Sequence, residues 1–329
     1  MPANRTAVAL ACLLMLGVSP SAAARPADDA MPVLAVAQIL ASPTPTAAAG
    51  DEELAALAGQ RYPYLFPRSN TDRPDEVSGR QIHVVYVVPA AMPDDQYDEL
   101  GVLEDSVRSM NVWMKQQTGN QEWVFDTYTL QPAGSSEPMS AIDVSFLASD
   151  KTGTQLSGVA DVQAELIAHG FDKPNKRYLS YVASNAGGVC GDAWYPLDQT
   201  PTPVDGQYSD IYLYSSEGCR AREFAPNATT PSFTETIAMQ EMIHNDAMVP
   251  LVAPHDCLVG LLAFGHVCTG PLWAGGGDAG GLDPERFDVM FPYVGLPLSQ
   301  KTLDADHLDY YRQIAPYKDL EQGLYLRTI

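Results

Sequence analysis

Positive charge is scarce in this chain: 19 Lys and Arg stand against 41 Asp and Glu over 329 residues, a net charge of −22. Neutralising phosphates takes a basic surface, so this balance argues against nucleic-acid binding and against docking on anionic membranes. It leaves a solvated acidic surface that favours solubility and attracts cations. Long apolar runs are also missing. The run Ala7–Val18 is too short for a membrane span, and no later stretch approaches the ~20 apolar residues a span needs. No internal repeat is visible. Cysteine is sparse, with five residues in all, and no C-x₂-C spacing occurs, which argues against a zinc held by four thiolates.

What is present begins with a processing signal. Arg5 supplies a short positive region, Ala7–Val18 an apolar one, and Ala22-Ala23-Ala24 an A-x-A-type cleavage site. Residues 1–24 read as a secretory signal peptide, which places the mature chain outside the cytoplasm, secreted or periplasmic. Residues 25–75 are rich in Pro, Ala, Thr and Ser, as in Ser42-Pro43-Thr44-Pro45-Thr46, and read as a disordered linker or pro-segment. Cys12 leaves with the signal. Cys190, Cys219, Cys257 and Cys268 remain, which in an exported chain suggests two disulfides with three possible pairings. Proximity along the chain favours Cys190–Cys219 and Cys257–Cys268.

Periodicity gives strands alternating with helices. Gln81–Pro89 is a nearly continuous apolar, β-branched run, as expected of a buried strand. Leu100, Leu103, Val107, Met110 and Met114 follow at helical spacing, with Gly119 where a C-terminal cap belongs. Glu122–Leu130 and Ala141–Leu147 read as strands, Val159–Ala168 as a second helix, and Lys176–Ala183 and Ser209–Tyr214 as further strands. The pattern is that of an α/β fold (α+β in its irregular parts) with a mixed sheet. Ser232-Phe233-Thr234-Glu235 matches a capping box, which starts another helix running from about 233 to about 247.

That helix contains Gln240-Glu241-Met242-Ile243-His244. Positions 240 and 244 lie one turn apart and face the same way. The spacing is that of H-E-x-x-H, in which two His bind Zn²⁺ and the Glu acts as general base. Here Gln240 takes the place of the first His. Downstream lie Ala253-Pro254-His255-Asp256-Cys257, Gly265-His266-Val267-Cys268 and Asp288-Val289-Met290-Phe291-Pro292-Tyr293. His255 and His266 each stand two residues before a Cys, so a Cys257–Cys268 bridge would staple both into one loop. Asp278, Asp283 and Asp288 flank a Gly-rich loop and supply oxygen donors suited to Ca²⁺, although their spacing matches no standard calcium loop.

These motifs, in this order, resemble the secreted bacterial metzincin-like zinc metallopeptidases, with a degenerate first ligand. The likeness runs from about Gln81 to Tyr311 and includes Leu303-Asp304 and Asp309-Tyr310-Tyr311. It implies one domain over residues 76–329. That domain would have a metzincin-like mixed sheet packed on two long helices, with an irregular, disulfide-stapled C-terminal part. It also implies Zn²⁺, peptide-bond hydrolysis and a cleft below an edge strand for a polypeptide substrate. By position, Glu241 would be the base and His244 a ligand. His266 or His255 would be the third ligand, with His266 preferred, and Met290 would form the Met-turn beneath the metal. Tyr293 would stabilise the oxyanion. Gln240 is a neutral, weakly basic oxygen donor at a site where zinc prefers imidazole, thiolate or carboxylate. The alternative is therefore a pseudo-peptidase, an extracytoplasmic module that keeps the cleft to bind a protein ligand without cutting it.

Overall fold

The computed structural model describes residues 62–132, 134–185, 189–194, 207–215, 217–246, 266–267, 287–291, 295–304, 309–312 and 319–329. In chain order its elements are β1 (Gln81–Ala90), α1 (Val102–Thr118), β2 (Gln121–Trp123), β3 (Thr127–Leu130), β4 (Met139–Ile142), β5 (Val144–Thr152), α2 (Val159–Ala168), β6 (Lys176–Val182), β7 (Gly191–Ala193), β8 (Tyr208–Tyr212), α3 (Phe233–Asp246) and β9 (Leu326–Thr328).

The first nine residues of β1 are all buried. A strand apolar on both faces belongs inside a sheet that is covered on both sides. Accordingly β1 is central: it pairs in parallel with β5 on one side and with β6 on the other. The sheet continues through β8, parallel to β6, to β7, which is antiparallel and ends the order β5-β1-β6-β8-β7. Alternate residues of β1 then face two cores. Ile82, Val84, Tyr86 and Val88 pack with α1 and α3, while Val85 and Val87 pack with Val159, Val162 and Leu166 of α2. The result is a mixed α/β arrangement with a mixed sheet and three described helices of 17, 10 and 14 residues. None of them is long and apolar enough to cross a membrane.

The strand expected over Glu122–Leu130 is two strands. Asp126, between them, turns its carboxylate onto His83 Nδ1 at 3.0 Å and onto the Lys176 ammonium. The strand expected over Ala141–Leu147 breaks in the same way at Asp143, whose N–H donates to Asp126 O at 2.9 Å while its carboxylate meets Arg73. Two small antiparallel ribbons result, β3 with β4 and β2 with β9.

Residues 62–75 lie against this body. Tyr62 OH donates to Asp105 Oδ1 at 2.9 Å, and Arg68 pairs with Asp94 and Asp98, each at 2.7 Å. Phe146 N–H donates to Ser69 O at 2.7 Å, which sets Ser69 beside Ser145 on β5. Gly101, at φ 74°, makes room for this strap: a Cβ there would stand 2.7 Å from ring atoms of Phe66 and Tyr62. The folded body therefore takes in residues ahead of position 76.

Cys190 and Cys219 form a disulfide, which ties the start of β7 to the segment after β8. Cys257 and Cys268 lie outside the described residues.

Candidate metal and catalytic site

Helix α3 is fixed at its start by Glu235. Glu235 Oε2 accepts the Ser232 N–H at 2.7 Å, which is the reciprocal bond of a capping box, and Oε1 accepts from Ser106 Oγ on α1 at 2.5 Å. Ser106 Oγ is also 3.0 Å from Tyr181 OH on β6. The carboxyl is wholly enclosed, and burial raises its pKa despite these donors. Further along the helix, Asn245 donates to Tyr208 O at 3.2 Å and Ser209 Oγ to Glu241 O at 3.1 Å, which binds α3 to β8. The mid-helix residues Gln240, Glu241 and His244 are thus carried on an element anchored at both ends, and all three are buried.

His244 meets a loop histidine. Its Nε2 is 3.3 Å from Nε2 of His266, with the rings tilted 82° at 4.8 Å between centroids. Two nitrogens each ~2.0–2.1 Å from one tetrahedral ion would stand about 3.3–3.4 Å apart, so the pair has the separation of two zinc ligands. Burial, and secondarily His266, push the His244 pKa well below the ordinary imidazole value. A neutral imidazole with an available lone pair is the form a metal requires.

The turn around Met290 sets both sides of this pair. Met290 is fully buried, and its carbonyl accepts the N–H of Val267, the neighbour of His266, at 3.1 Å. The carbonyl of Phe291 accepts Gln240 Nε2 at 3.3 Å. Asp288 Oδ1 holds the turn itself, accepting the Met290 N–H and Tyr310 OH, both at 2.7 Å. Asp304 in turn receives the N–H groups of Tyr310 and Tyr311 at 2.9 and 2.6 Å. The Asp304 and Asp309-Tyr310-Tyr311 motifs therefore act as scaffold for the turn. Asp288, considered above as a calcium donor, has Oδ1 committed to this task. Asp278, Asp283, His255 and Tyr293 lie outside the described residues.

Glu241 points toward β7. A Cβ on Gly191 would sit 2.7 Å from Glu241 Cγ and Oε1, so only glycine admits the carboxylate there. Burial first, then the negative charges of Asp192 and Asp210, raise the Glu241 pKa well above the usual carboxylate range. A carboxyl held in this way binds a proton more readily than an exposed carboxylate, as a general base must. Asp192 and Asp210 were not anticipated from the sequence. Asp210 puts a charge in the middle of the strand Tyr208–Tyr212 and was a readable signal. Asp192 sits in a three-residue strand, too short to show a period.

A second group collects elsewhere. Asp72, His83, Asp126 and Asp143 bring ligand atoms within 4.8 Å of one another and could hold a metal ion. The protein's own cations already compete for these oxygens. Lys176, fully buried, pairs with Asp72 at 2.7 Å, with Asp75 at 2.8 Å and with Asp126, and Arg73 pairs with Asp143. His83 is satisfied at both nitrogens, by Asp126 and by Ser145 Oγ at 3.0 Å.

No family model, curated protein or solved structure matches this chain.

Proposed function

We propose that this chain is an exported zinc-dependent peptidase of metzincin-like build, with Gln240 in place of one histidine ligand. The observation that carries the reading is the 3.3 Å approach of His244 Nε2 to His266 Nε2, with the buried carboxyl of Glu241 three residues before His244 on the same helix. His244 and His266 would hold the ion, with the Gln240 amide oxygen as the third and weakest donor. Bound zinc would supply Lewis-acid polarisation of a peptide carbonyl. The chain's own residues do the rest. Glu241 accepts a proton from the attacking water and returns it to the leaving amine, and its raised pKa suits both transfers. The Met290 turn fixes His266 through Val267 and Gln240 through Phe291, so the donors are oriented before any substrate arrives. Strand β7, at the end of the sheet and against Glu241, offers its edge to an extended polypeptide through main-chain hydrogen bonds.

A second reading has one specific observation in its favour. Gln240 spends its amide N–H on the Met290 turn, a structural use that persists without metal. On that reading the cleft is kept for binding a protein ligand. Elemental analysis of the purified chain separates the two. The peptidase reading expects zinc near one ion per chain, together with peptide cleavage that Glu241→Gln abolishes while the zinc stays. Zinc clearly below that level, with zinc binding and cleavage appearing only in Gln240→His, would leave the binding module.

A further inference from the structure

On the face of the sheet covered by α2, one row of side chains crosses three strands. Ser180 on β6 is the register neighbour of Asp210 on β8, and Asp210 is the register neighbour of Asp192 on β7. Tyr212 lies two residues beyond Asp210 and so on the same face. Asp210, Ser180 and Tyr212 are each 0% exposed, and both Asp210 carboxylate oxygens, Ser180 Oγ and Tyr212 OH lack hydrogen-bond partners among the described residues. Ser180 Oγ is close enough to favour the Asp210 charge, yet makes no bond of acceptable geometry with it. Asp192 is half-buried, and its Oδ2 accepts the N–H of Val159 at the start of α2 at 3.1 Å.

Buried polar atoms normally find partners, and a buried carboxylate without one costs several kcal/mol. Here four unpartnered oxygens from three residues adjoin a second carboxylate. Among the described residues no Lys, Arg or His acts on either acid: the influences on Asp192 are burial and backbone N–H groups, and those on Asp210 are burial, Ser180 and Asp192. Glu241 and Asp161 add further negative charge near Tyr212. The donor set is entirely oxygen, two of its members are acidic, and positive charge is missing from it. Such a set matches a hard cation and excludes the softer ions that need nitrogen or sulfur.

We propose that Asp210, Asp192, Ser180 and Tyr212 form a cation site of the Ca²⁺ type, entered from the half-buried Asp192 on the outer strand. The ion would tie β6, β8 and β7 together beneath the strands that face α3. It uses none of Asp278, Asp283 and Asp288 and does not depend on the peptidase reading.

Chelator-treated full-length chain, titrated with CaCl₂ in a calorimeter and in thermal melts, tests the site. A saturable heat and a melting temperature raised by several degrees are expected. Asp210→Asn should lose both while remaining folded, Ser180→Ala should weaken Ca²⁺ binding by about tenfold, and His244→Ala should leave it unchanged. Should Asp210→Asn fail to fold, Asp192→Asn on the outer strand serves in its place. If wild type gives neither heat nor shift and Asp210→Asn is the more stable chain at pH 7, the row holds a proton and the proposal is overturned. A Ca²⁺ response that survives Asp210→Asn overturns it equally, because the ion then binds elsewhere.

Discussion

Lys301 is a buried ammonium placed where it costs stability. Its Nζ donates to Asp288 O at 3.0 Å and stands over the Phe291 ring, but burial lowers its pKa from 10.5 to about 8, against the opposing pull of Asp288. Between those two values the unfolded chain binds more protons than the folded one, so stability rises as pH rises. The full rise is on the order of 3 kcal/mol, at about 1.4 kcal/mol per pKa unit. Urea midpoints of wild type and Lys301→Met, taken from pH 7.5 to 10.5, should converge or cross in wild type's favour as pH climbs. Parallel curves would mean that the ammonium is solvated. At this scale the sequence was uneven. Gln240, Glu241, His244, His266 and Met290 were identifiable because a helical motif and Cys spacings mark them. Asp192 and Lys301 were not, and Asp288 was marked as a calcium donor rather than as the brace of the Met290 turn, because such roles depend on which strand or turn a residue meets across the fold, and no local period encodes that.

Elements were more legible than contacts. The buried run at β1, the helix over 159–168 and the capping box before α3 all appear where spacing and caps put them, within a residue or so. Gly119 closes α1 at φ 82°, its N–H returning to Lys115 O at 3.0 Å, as a glycine past the last helical residue should. The misread stretches were those where a buried acid, Asp126 or Asp143, interrupts a strand to join an ion cluster, since β propensity weighs side chains one at a time. Strand β7 was missed altogether. It is three residues long, begins with glycine, and owes its place to pairing with β8 and to the Cys190–Cys219 bridge just before it. That bridge closes a sequence separation of 29 residues, worth about 3–4 kcal/mol in the chain-entropy account. Reduction, or the Cys190→Ser/Cys219→Ser double variant, should lower the unfolding free energy from urea titration by that much and should loosen amide protection at 190–193 before it reaches β1. Equal loss of protection across the sheet would show that β7 is not held separately.

For the whole molecule, the acidic excess is partly gathered into a few buried hubs. Lys176 alone faces three aspartates, two of which, Asp72 and Asp75, belong to the strap that precedes the sheet. Lys176 and Asp126 are buried, so that pair should resist screening by salt far better than surface pairs do, whereas the pair with the exposed Asp75 should not. Loss of the strap would leave Lys176 with one acid in place of three, a charge imbalance of a kind that typically costs several kcal/mol. The Ser69 contact with β5 carries a further consequence. The outer edge of a sheet exposes a row of N–H and C=O groups that pair readily with another chain, and proteins blunt such edges to avoid aggregation. Ser69 O already occupies the Phe146 N–H on that edge. A chain begun at residue 76 should therefore self-associate in size-exclusion chromatography with light scattering, whereas one begun at residue 62 should stay monomeric. If both run as monomers, the strap does not guard the edge. The strap thereby limits where the chain can be shortened from its N-terminal side: a cut ahead of Tyr62 leaves the edge guarded, whereas a cut beyond Ser69 bares the Phe146 N–H and turns the sheet edge into a sticky one.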